Sequence, residues 1–408
     1  LTASTIFADK RKQREGHAMK PLEGLRILDL SRVLACPFAT MLLAELGAEV
    51  VKVEQPGGGD ETRGFEPFFD FGVSGYFLAC NRAKRSITVD LRKAGGRQVI
   101  RDLAARSDAL VENFPTGALA RRKLDHAALR QVNPRLVYLS CTGFGQTGPY
   151  AARKGYDTVF QAMGGLMGLT GDRGGGPVKP GLPVADLTSG LWVAIALLAA
   201  LRGRDATGEG AHVDFSMLDG QVALLSIAAA RLFALGEVPP RLGTEHPGRV
   251  PTASFRCADD RFLHVTASDQ HWAPLCRALG LDELAGLATN AARLEQRGRV
   301  MAAMTAALGA MTRAQAVALL DAADVPNGPV LALDEVVADP HVQARGCVAE
   351  VSHGAATHPA LRLPFRFEGF ADPAPLPAPA LGADTDAVLA GLGYGPDRIA
   401  ALREEGAI

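Results

Sequence analysis

The sequence predicts an α/β protein: a parallel sheet with helices on both faces, joined to a smaller α+β region. Three observations carry this. Short apolar strand-like segments alternate with helical ones after Met19, the spacing of strand–helix–strand units. A Gly- and Pro-rich stretch, Gly236 to Pro251, then marks a change of domain. Beyond it lies a hairpin pattern followed by helices.

Taken in order, Leu25 to Leu30 reads as the first strand. Pro37 to Leu46 is a helix opened by Pro in its first turn, and Glu49 to Val53 is the second strand. Ile87 to Leu91, Ala109 to Glu112 and Leu136 to Ser140 are further strands, separated by helices near Gly95 to Arg106 and Thr116 to Leu124. Gly143 to Ala185 is irregular apart from Tyr156 to Met167, and a long irregular stretch in a compact domain is usually functional or mobile. Long helices follow over Leu187 to Arg202 and Met217 to Leu235, with Ala211 to Phe215 as a strand between them. Ala253 to Cys257 and Phe262 to Thr266 form the hairpin, and helical segments run to Ala323. Asp334 to Gln343 and a strand-like Leu361 to Phe367 precede the Pro-rich Pro373 to Pro379, and two helices close the chain. There is no internal repeat.

The chain has 408 residues, 48% apolar and 21% charged, which suits about two globular domains with ample core material. A net charge of −1 offers no global basic field for nucleic acid or an anionic membrane. The longest apolar stretch near the middle, Leu191 to Leu201, is shorter than the roughly 20 residues a bilayer crossing takes. Six dispersed cysteines without a C-x-x-C pair indicate reduced thiols, and hence a cytoplasmic protein, rather than a disulfide frame or zinc site. Residues 1–18 are polar and carry no apolar core of a signal peptide, so they are expected to be a disordered extension.

Asp186 stands in Pro180-Gly181-Leu182-Pro183-Val184-Ala185-Asp186-Leu187-Thr188-Ser189-Gly190, ahead of an apolar helix. Proline stiffens the approach, and the helix start offers unpaired N–H groups and partial positive charge, which would keep a carboxylate ionised. Two readings fit this window: a helix N-cap, or a carboxylate nucleophile.

Several other chemistries fail on their residues. The first strand–turn–helix reads Ser31-Arg32-Val33-Leu34-Ala35-Cys36-Pro37, without the glycines a dinucleotide pyrophosphate needs. Gly171 to Gly176 lacks the Gly-Lys-Ser/Thr ending of a phosphate loop. Nine histidines form no metal-binding pair, so no metal is expected, and no G-x-S-x-G elbow occurs. Cys36 reads as a packed small side chain, and His212 as structural.

Pro21 to Leu30, Leu43 to Glu54, Gly59-Asp60-Glu61-Thr62-Arg63, Asn81 to Ser86, Val111-Glu112-Asn113-Phe114, Gly143 to Pro149 and Gly155-Tyr156-Asp157 together resemble the family III CoA-transferases, with the formyl-CoA and carnitine CoA-transferases and the related 2-methylacyl-CoA racemases. The match runs from Met19 to the C-terminus. It implies a large Rossmann-like CoA-binding domain over 19–224, a small domain with linkers over 225–333, and a segment over 334–408 returning to the large domain. It also implies an interlocked homodimer with the active site between domains.

By this resemblance Asp186 attacks an acyl-CoA thioester. Lys84, Arg85, Asn113, Phe114, Arg121 and Lys154 match CoA-binding positions, and Asp157 matches an acidic position near the nucleophile. Coenzyme A is then a co-substrate, no cofactor is permanently bound, and the other partner is a carboxylic acid. A carboxylate with an ordinary pKa near 3.9 would need no general base.

Two departures stand out. Cys36 replaces a frequent glycine, and Leu34, with Ala35 beside it in the substrate region, replaces the glutamine of formyl-CoA transferase, which argues against a formyl or oxalate substrate. Leu242 to His246 occupies the stretch of a poly-Gly lid. The racemase branch carries histidine where Tyr156 stands, and a tyrosine is a poor base at neutral pH. Transfer from succinyl-CoA to a short dicarboxylate, in the manner of succinate–hydroxymethylglutarate CoA-transferases, is therefore expected. Arg32, Arg63 and Arg249 are candidates for the distal carboxylate. Epimerisation of a 2-methylacyl-CoA and non-catalytic acyl-CoA binding are the alternatives.

Overall fold

The computed structural model describes residues 18–408, so all but one residue of the expected N-terminal extension lie outside the described residues. One compact unit runs to Gly164 and takes in Gly181–Ser226 and Ala344–Ile408. The other comprises Gly165–Pro180 and Ile227–Gln343.

The first unit is built on six parallel strands, β1 (Arg26–Asp29), β2 (Glu49–Glu54), β3 (Arg85–Thr88), β4 (Ala109–Glu112), β5 (Val137–Thr142) and β6 (His212–Ser216). Their order is β3-β2-β1-β4-β5-β6, the Rossmann order, in the parallel sheet that the strand–helix alternation predicts. In chain order the first nine helices are α1 (Ala35–Glu45), α2 (Gly75–Asn81), α3 (Ala94–Ala104), α4 (His126–Arg130), α5 (Asp157–Met163), α6 (Leu166–Leu169), α7 (Val184–Thr207), α8 (Met217–Leu224) and α9 (Ser226–Leu235). One sheet face packs Ile27, Val50, Val111 and Leu139 against Leu43 of α1 and Val193 and Leu197 of α7. The opposite face packs Leu28, Ile87, Leu110 and Tyr138 against α3 and the C-terminal helices. Strands buried on both faces read as continuous apolar runs, which is why β4 and β5 were legible from sequence.

The contact of α1 with α7 fixes the start of α7. A Cβ at Gly190 would stand 2.7 Å from Ala35 O and 2.8 Å from a Phe38 ring carbon, so only glycine lets the two helices meet this closely.

Several expectations are corrected. Thr116 to Leu124 is not a helix: it holds a turn and the three-residue 3₁₀ segment Ala120–Arg122. The expected helix over Met217 to Leu235 breaks at Leu225, before Ser226 with φ 23°. The expected strand over Leu361 to Phe367 is strand only at Leu361, the last residue of β11 (Ala356–Leu361), which pairs antiparallel with β10 (Val348–His353). Finally, α7 is 24 residues long with mean hydropathy 1.9 over its best 18-residue window, long and apolar enough by length and composition to cross a bilayer. The Leu191 to Leu201 stretch understated it because the helix also takes in Val184 to Gly190 before it and Arg202 to Thr207 after it.

The second unit has the predicted hairpin, β7 (Thr252–Arg256) and β8 (Phe262–Thr266), with β9 (Asn327–Pro329) added antiparallel to β8. Its helices include Asp269–Leu279 and Arg297–Gly309, which pack Trp272, Leu275, Val300 and Met304 onto this small sheet.

Candidate functional site

Asp186 occupies the third position of α7, after Pro183 at the N-cap. Its side chain is not the cap, which corrects that reading of the sequence: no side chain of the capping residue bonds back into this helix start. Instead the Asp186 N–H donates to Asp157 Oδ1 at 3.1 Å, so Asp157 takes up one of the open donors of α7 from a distance. Asp157 is the first residue of α5, and its Oδ2 accepts from Gln161 Nε2 at 2.6 Å. The α5 turn is held down by Phe160, whose ring would collide with a Cβ at Gly143, 2.6 Å away.

Among the described residues no hydrogen bond engages the Asp186 carboxylate oxygens. Burial, and then the Asp157 charge, push its pKa up to about 7. This corrects the expectation that the helix dipole holds an ordinary pKa: desolvation and a like charge outweigh the partial positive charge of the helix start.

Tyr156, preceding Asp157, is 80% exposed. Leu34 and Ala35 are buried at the start of α1, and Leu34 shares the wall of one cavity with Pro183, the N-cap of α7, and Leu187, which follows Asp186. Tyr76, on α2, lines that same cavity. Its phenol is pushed up to about 12 by burial, then by Cys80, Asp186 and Asp157. Sequence reasoning missed Tyr76, because nothing in Ser74-Gly75-Tyr76-Phe77 distinguishes it before folding.

A second crevice lies past the C-terminal ends of the strands, at the β1/β4 switch point where open α/β sheets bind ligands. Asn113 closes that point: its Oδ1 accepts from Arg32 N at 2.9 Å and its Nδ2 donates to Arg32 O at 2.7 Å. The Arg32 guanidinium sits 5.4 Å from the Phe114 ring centroid. Leu30, Val89, Arg92, Phe114 and Arg122 contribute to a cavity of about 160 Å³. Arg121 is exposed on the 3₁₀ turn that follows, and Lys154 is exposed on the loop before α5.

Lys84 and Arg85 are not in this crevice. Lys84 is buried, its Nζ 3.0 Å from Asp29 Oδ2 and 2.9 Å from both Pro37 O and Asn81 Oδ1. Burial lowers its pKa to about 8 against the opposing pull of Asp29. Burial alone would raise the Asp29 carboxyl, but Lys84 and Lys52, with the Ser31 and Thr40 hydroxyls, hold it below its usual value. Arg85 opens β3 at the opposite sheet edge, paired with Glu49 at 2.9 Å and Asp384 at 3.3 Å. The cation that does reach the crevice from β3 is Arg92, bidentate with Asp90. The rule that ligands gather at strand C-termini would have pointed to it.

Of the three arginines considered for a distal carboxylate, Arg63 is committed to Glu54 through two 2.7 Å hydrogen bonds, Arg32 belongs to the crevice, and Arg249 is exposed in the second unit. All six cysteines are free, and Cys36 is fully buried. Among the described residues no group of three or more His, Cys, Asp or Glu could hold a metal ion.

The model of CoA-transferase family III matches residues 22–385. The succinyl-CoA:glutarate CoA-transferase of Mus musculus is 38% identical over 383 residues, covering 93% of this chain and 88% of the mouse protein. The succinate–glutarate CoA-transferase of Agrobacterium fabrum is 37% identical, covering 91% and 96%. A crystal structure of a CaiB/BaiF family protein from Brucella suis superposes with a TM-score of 0.82 at 38% identity, covering 92% of this chain and 100% of that one. The chain belongs to CoA-transferase family III.

Proposed function

We propose that this enzyme moves CoA from succinyl-CoA, or a similar thioester, to a short dicarboxylic acid through an acyl anhydride on Asp186. The observation that carries the reading is the Asp186 carboxyl: free of hydrogen bonds among the described residues, and raised to about 7 by burial and Asp157. A carboxylate of higher pKa is a stronger nucleophile, and near pH 7 about half of it is ionised. Its oxygen bonds the thioester carbonyl carbon, the C–S bond breaks, and CoA thiolate leaves. The acceptor carboxylate then attacks the Asp186 carbonyl of the anhydride, releasing the first acid and leaving its own acyl group in anhydride linkage. CoA thiolate returns to that acyl carbon, forms the new thioester and frees Asp186. Each step exchanges one acyl bond for another, so no ATP is consumed. Half-burial of Asp186 limits access of water, which would hydrolyse the anhydride.

The crevice beside Asn113 and Phe114 suits the nucleotide end of CoA, with Arg32 and Arg122 available to phosphates, Arg92 at the same wall in its pair with Asp90, and Arg121 and Lys154 as outlying cations. A homodimer also belongs to this proposal. Leu191 and Ile195 of α7 are 49% and 57% exposed, and Ile227 and Phe233 of α9 are 85% and 83% exposed. Apolar surface of this kind is ordinarily covered by a partner.

A carboxyl with pKa about 7 would also suit α-proton abstraction, which keeps epimerisation as the second reading. The test is exchange between succinyl-CoA and glutarate. Hydroxylamine added during turnover should convert Asp186 to its hydroxamate, and Asp186→Ala should show no exchange. Full exchange by that variant would sink the mechanism. Solvent deuterium entering the α-carbon of a 2-methylacyl-CoA without an acceptor acid would favour epimerisation.

A further inference from the structure

A surface of one charge sign adjoins the crevice in the first unit. Residues 91–101 hold Arg92, Lys93, Arg97 and Arg101, and residues 113–124 hold Arg121, Arg122 and Lys123. Neither stretch contains an Asp or Glu, in a chain whose net charge is −1. Helix α3 presents Arg97 and Arg101 on the sheet face opposite α7, away from the exposed apolar side of that helix.

Folding brings the two stretches together. Arg97 Nη1 donates to Leu91 O at 3.3 Å and to Arg92 O at 2.6 Å, and both of those residues line the crevice. One helical turn on, Arg101 Nη2 donates to Lys123 O at 3.3 Å, next to Arg122, which also lines it. These acceptors are backbone carbonyls, which hold a guanidinium in place without cancelling its charge. Among the described residues Arg92 is paired with Asp90, whereas Lys93, Arg97, Arg101, Arg121, Arg122 and Lys123 make no ion pair. The acids of this face are few. Asp102 meets Arg398 at 3.5 Å, and Glu405 sits over the start of α3, where it accepts from Gly95 N at 3.3 Å.

The helix itself is worse for this pattern. Lys93 stands at the N-cap of α3, with no acid in the first turn, so a cation faces the positive end of the helix dipole. Lys93, Arg97 and Arg101 are spaced four apart, where like charges destabilise a helix and a solvated face would alternate in sign. Local rules broken without local compensation point to function. Uncompensated charge of one sign beside a cleft concentrates the opposite ion there.

We propose that Lys93, Arg97, Arg101 and Lys123 form a guiding surface that draws the phosphates of CoA to the crevice, and so select a CoA thioester over one lacking the nucleotide. The proposal rests on the transferase reading and deepens its donor specificity. CoA carries a pyrophosphate and a 3′-phosphate at its nucleotide end, and pantetheine carries neither. A field of this kind reaches about 30 Å in 0.01 M salt but only about 3 Å in 1 M, so its signature is a salt dependence that a packing role lacks.

The experiment has two arms. In the first, CoA is titrated calorimetrically into the full-length protein and into the triple variant Arg97→Gln, Arg101→Gln, Lys123→Gln. The variant should raise Kd about tenfold in about 0.02 M salt and less than about twofold in about 0.5 M. The double variant Lys93→Glu, Lys123→Glu, changed at exposed sites alone, takes its place if the triple variant does not fold. An unchanged Kd at low salt, or a loss of equal size at both salts, overturns the guiding surface. In the second arm, exchange to glutarate is measured from succinyl-CoA and from succinyl-pantetheine. The ratio of their kcat/KM values should fall about tenfold in the variant at low salt, with succinyl-pantetheine unaffected. An unaltered ratio overturns the proposal while exchange itself keeps the transferase reading. A salt-dependent loss of CoA affinity in a protein that supports no exchange keeps the guiding surface and discards the transferase reading instead.

Discussion

The backbone N–H of Asp186 donates to Asp157 Oδ1 at 3.1 Å, tying the start of α7 to the start of α5 and setting two carboxylates side by side. The contact orients α7, and the charge beside it destabilises ionised Asp186. Burial is the larger cause of the raised pKa and Asp157 the second.

The pH profile of exchange should reflect this. In the proposed mechanism Asp186 acts ionised, so kcat/KM should climb with pH through about 7. Asp157→Asn keeps an oxygen to accept the Asp186 N–H but removes the like charge. Its acid limb should move down by about half to one pH unit and stay above the ordinary carboxylate range, because burial persists. An unchanged limb would separate Asp157 from the charge state of the nucleophile.

Stability should carry the same signature with a definite sign. Asp186 has a folded pKa above its unfolded one, so the folded state binds more protons. Its contribution is most favourable below about pH 4 and is lost as pH rises through about 7. Asp186→Asn should therefore raise stability at pH 8 by about 1–3 kcal/mol relative to its effect at pH 4, while abolishing exchange. Urea melts at the two pH values measure the difference, and a gain of equal size at both would contradict the assigned shift.

The two arginines of β3 and its C-terminal turn should separate cleanly. Arg92→Ala is expected to raise KM for succinyl-CoA by about tenfold, through loss of a cation at the crevice. Arg85→Ala, at the opposite sheet edge, should stay within about twofold. Steady-state kinetics on both variants decides it, and a larger effect at Arg85 would reverse the assignment.

Gly190→Ala inserts a methyl 2.7 Å from Ala35 O. The α1–α7 contact has to open, costing about 1–3 kcal/mol and displacing the first turn of α7. A lowered Tm accompanied by a fall in kcat is expected, and wild-type values of both would show that the contact yields without consequence.

Lys84→Met leaves Asp29 buried without its ammonium partner. A loss of about 3–5 kcal/mol is expected from denaturant unfolding. If the variant instead folds normally and only its KM for acyl-CoA rises, Lys84 contacts the ligand after all.

The places where the structure departs from the sequence reading share one physical origin. Lys84 and Arg85 are adjacent basic residues that read alike along the chain, yet one is enclosed beside Asp29 and the other is paired on the far edge of the sheet. Arg92 was passed over because its position matters only once β3 is known to end at Thr88. Thr116 to Leu124 has helical composition, but Gly117 sits at φ 77° and the segment folds as turns.

By itself the sequence determined the alternating elements, the parallel sheet, the break before the hairpin domain and the family. Apolar periodicity and ordered motifs are local properties that survive without coordinates. It also singled out Asp186. Only the tertiary structure decided which charges are buried, that Asp157 rather than Asp186 caps α7, that Tyr76 shares a cavity wall with Leu187, and that Asp186 titrates near 7. Desolvation and charge proximity depend on which groups are brought together from distant parts of the chain, and no window of residues contains that information.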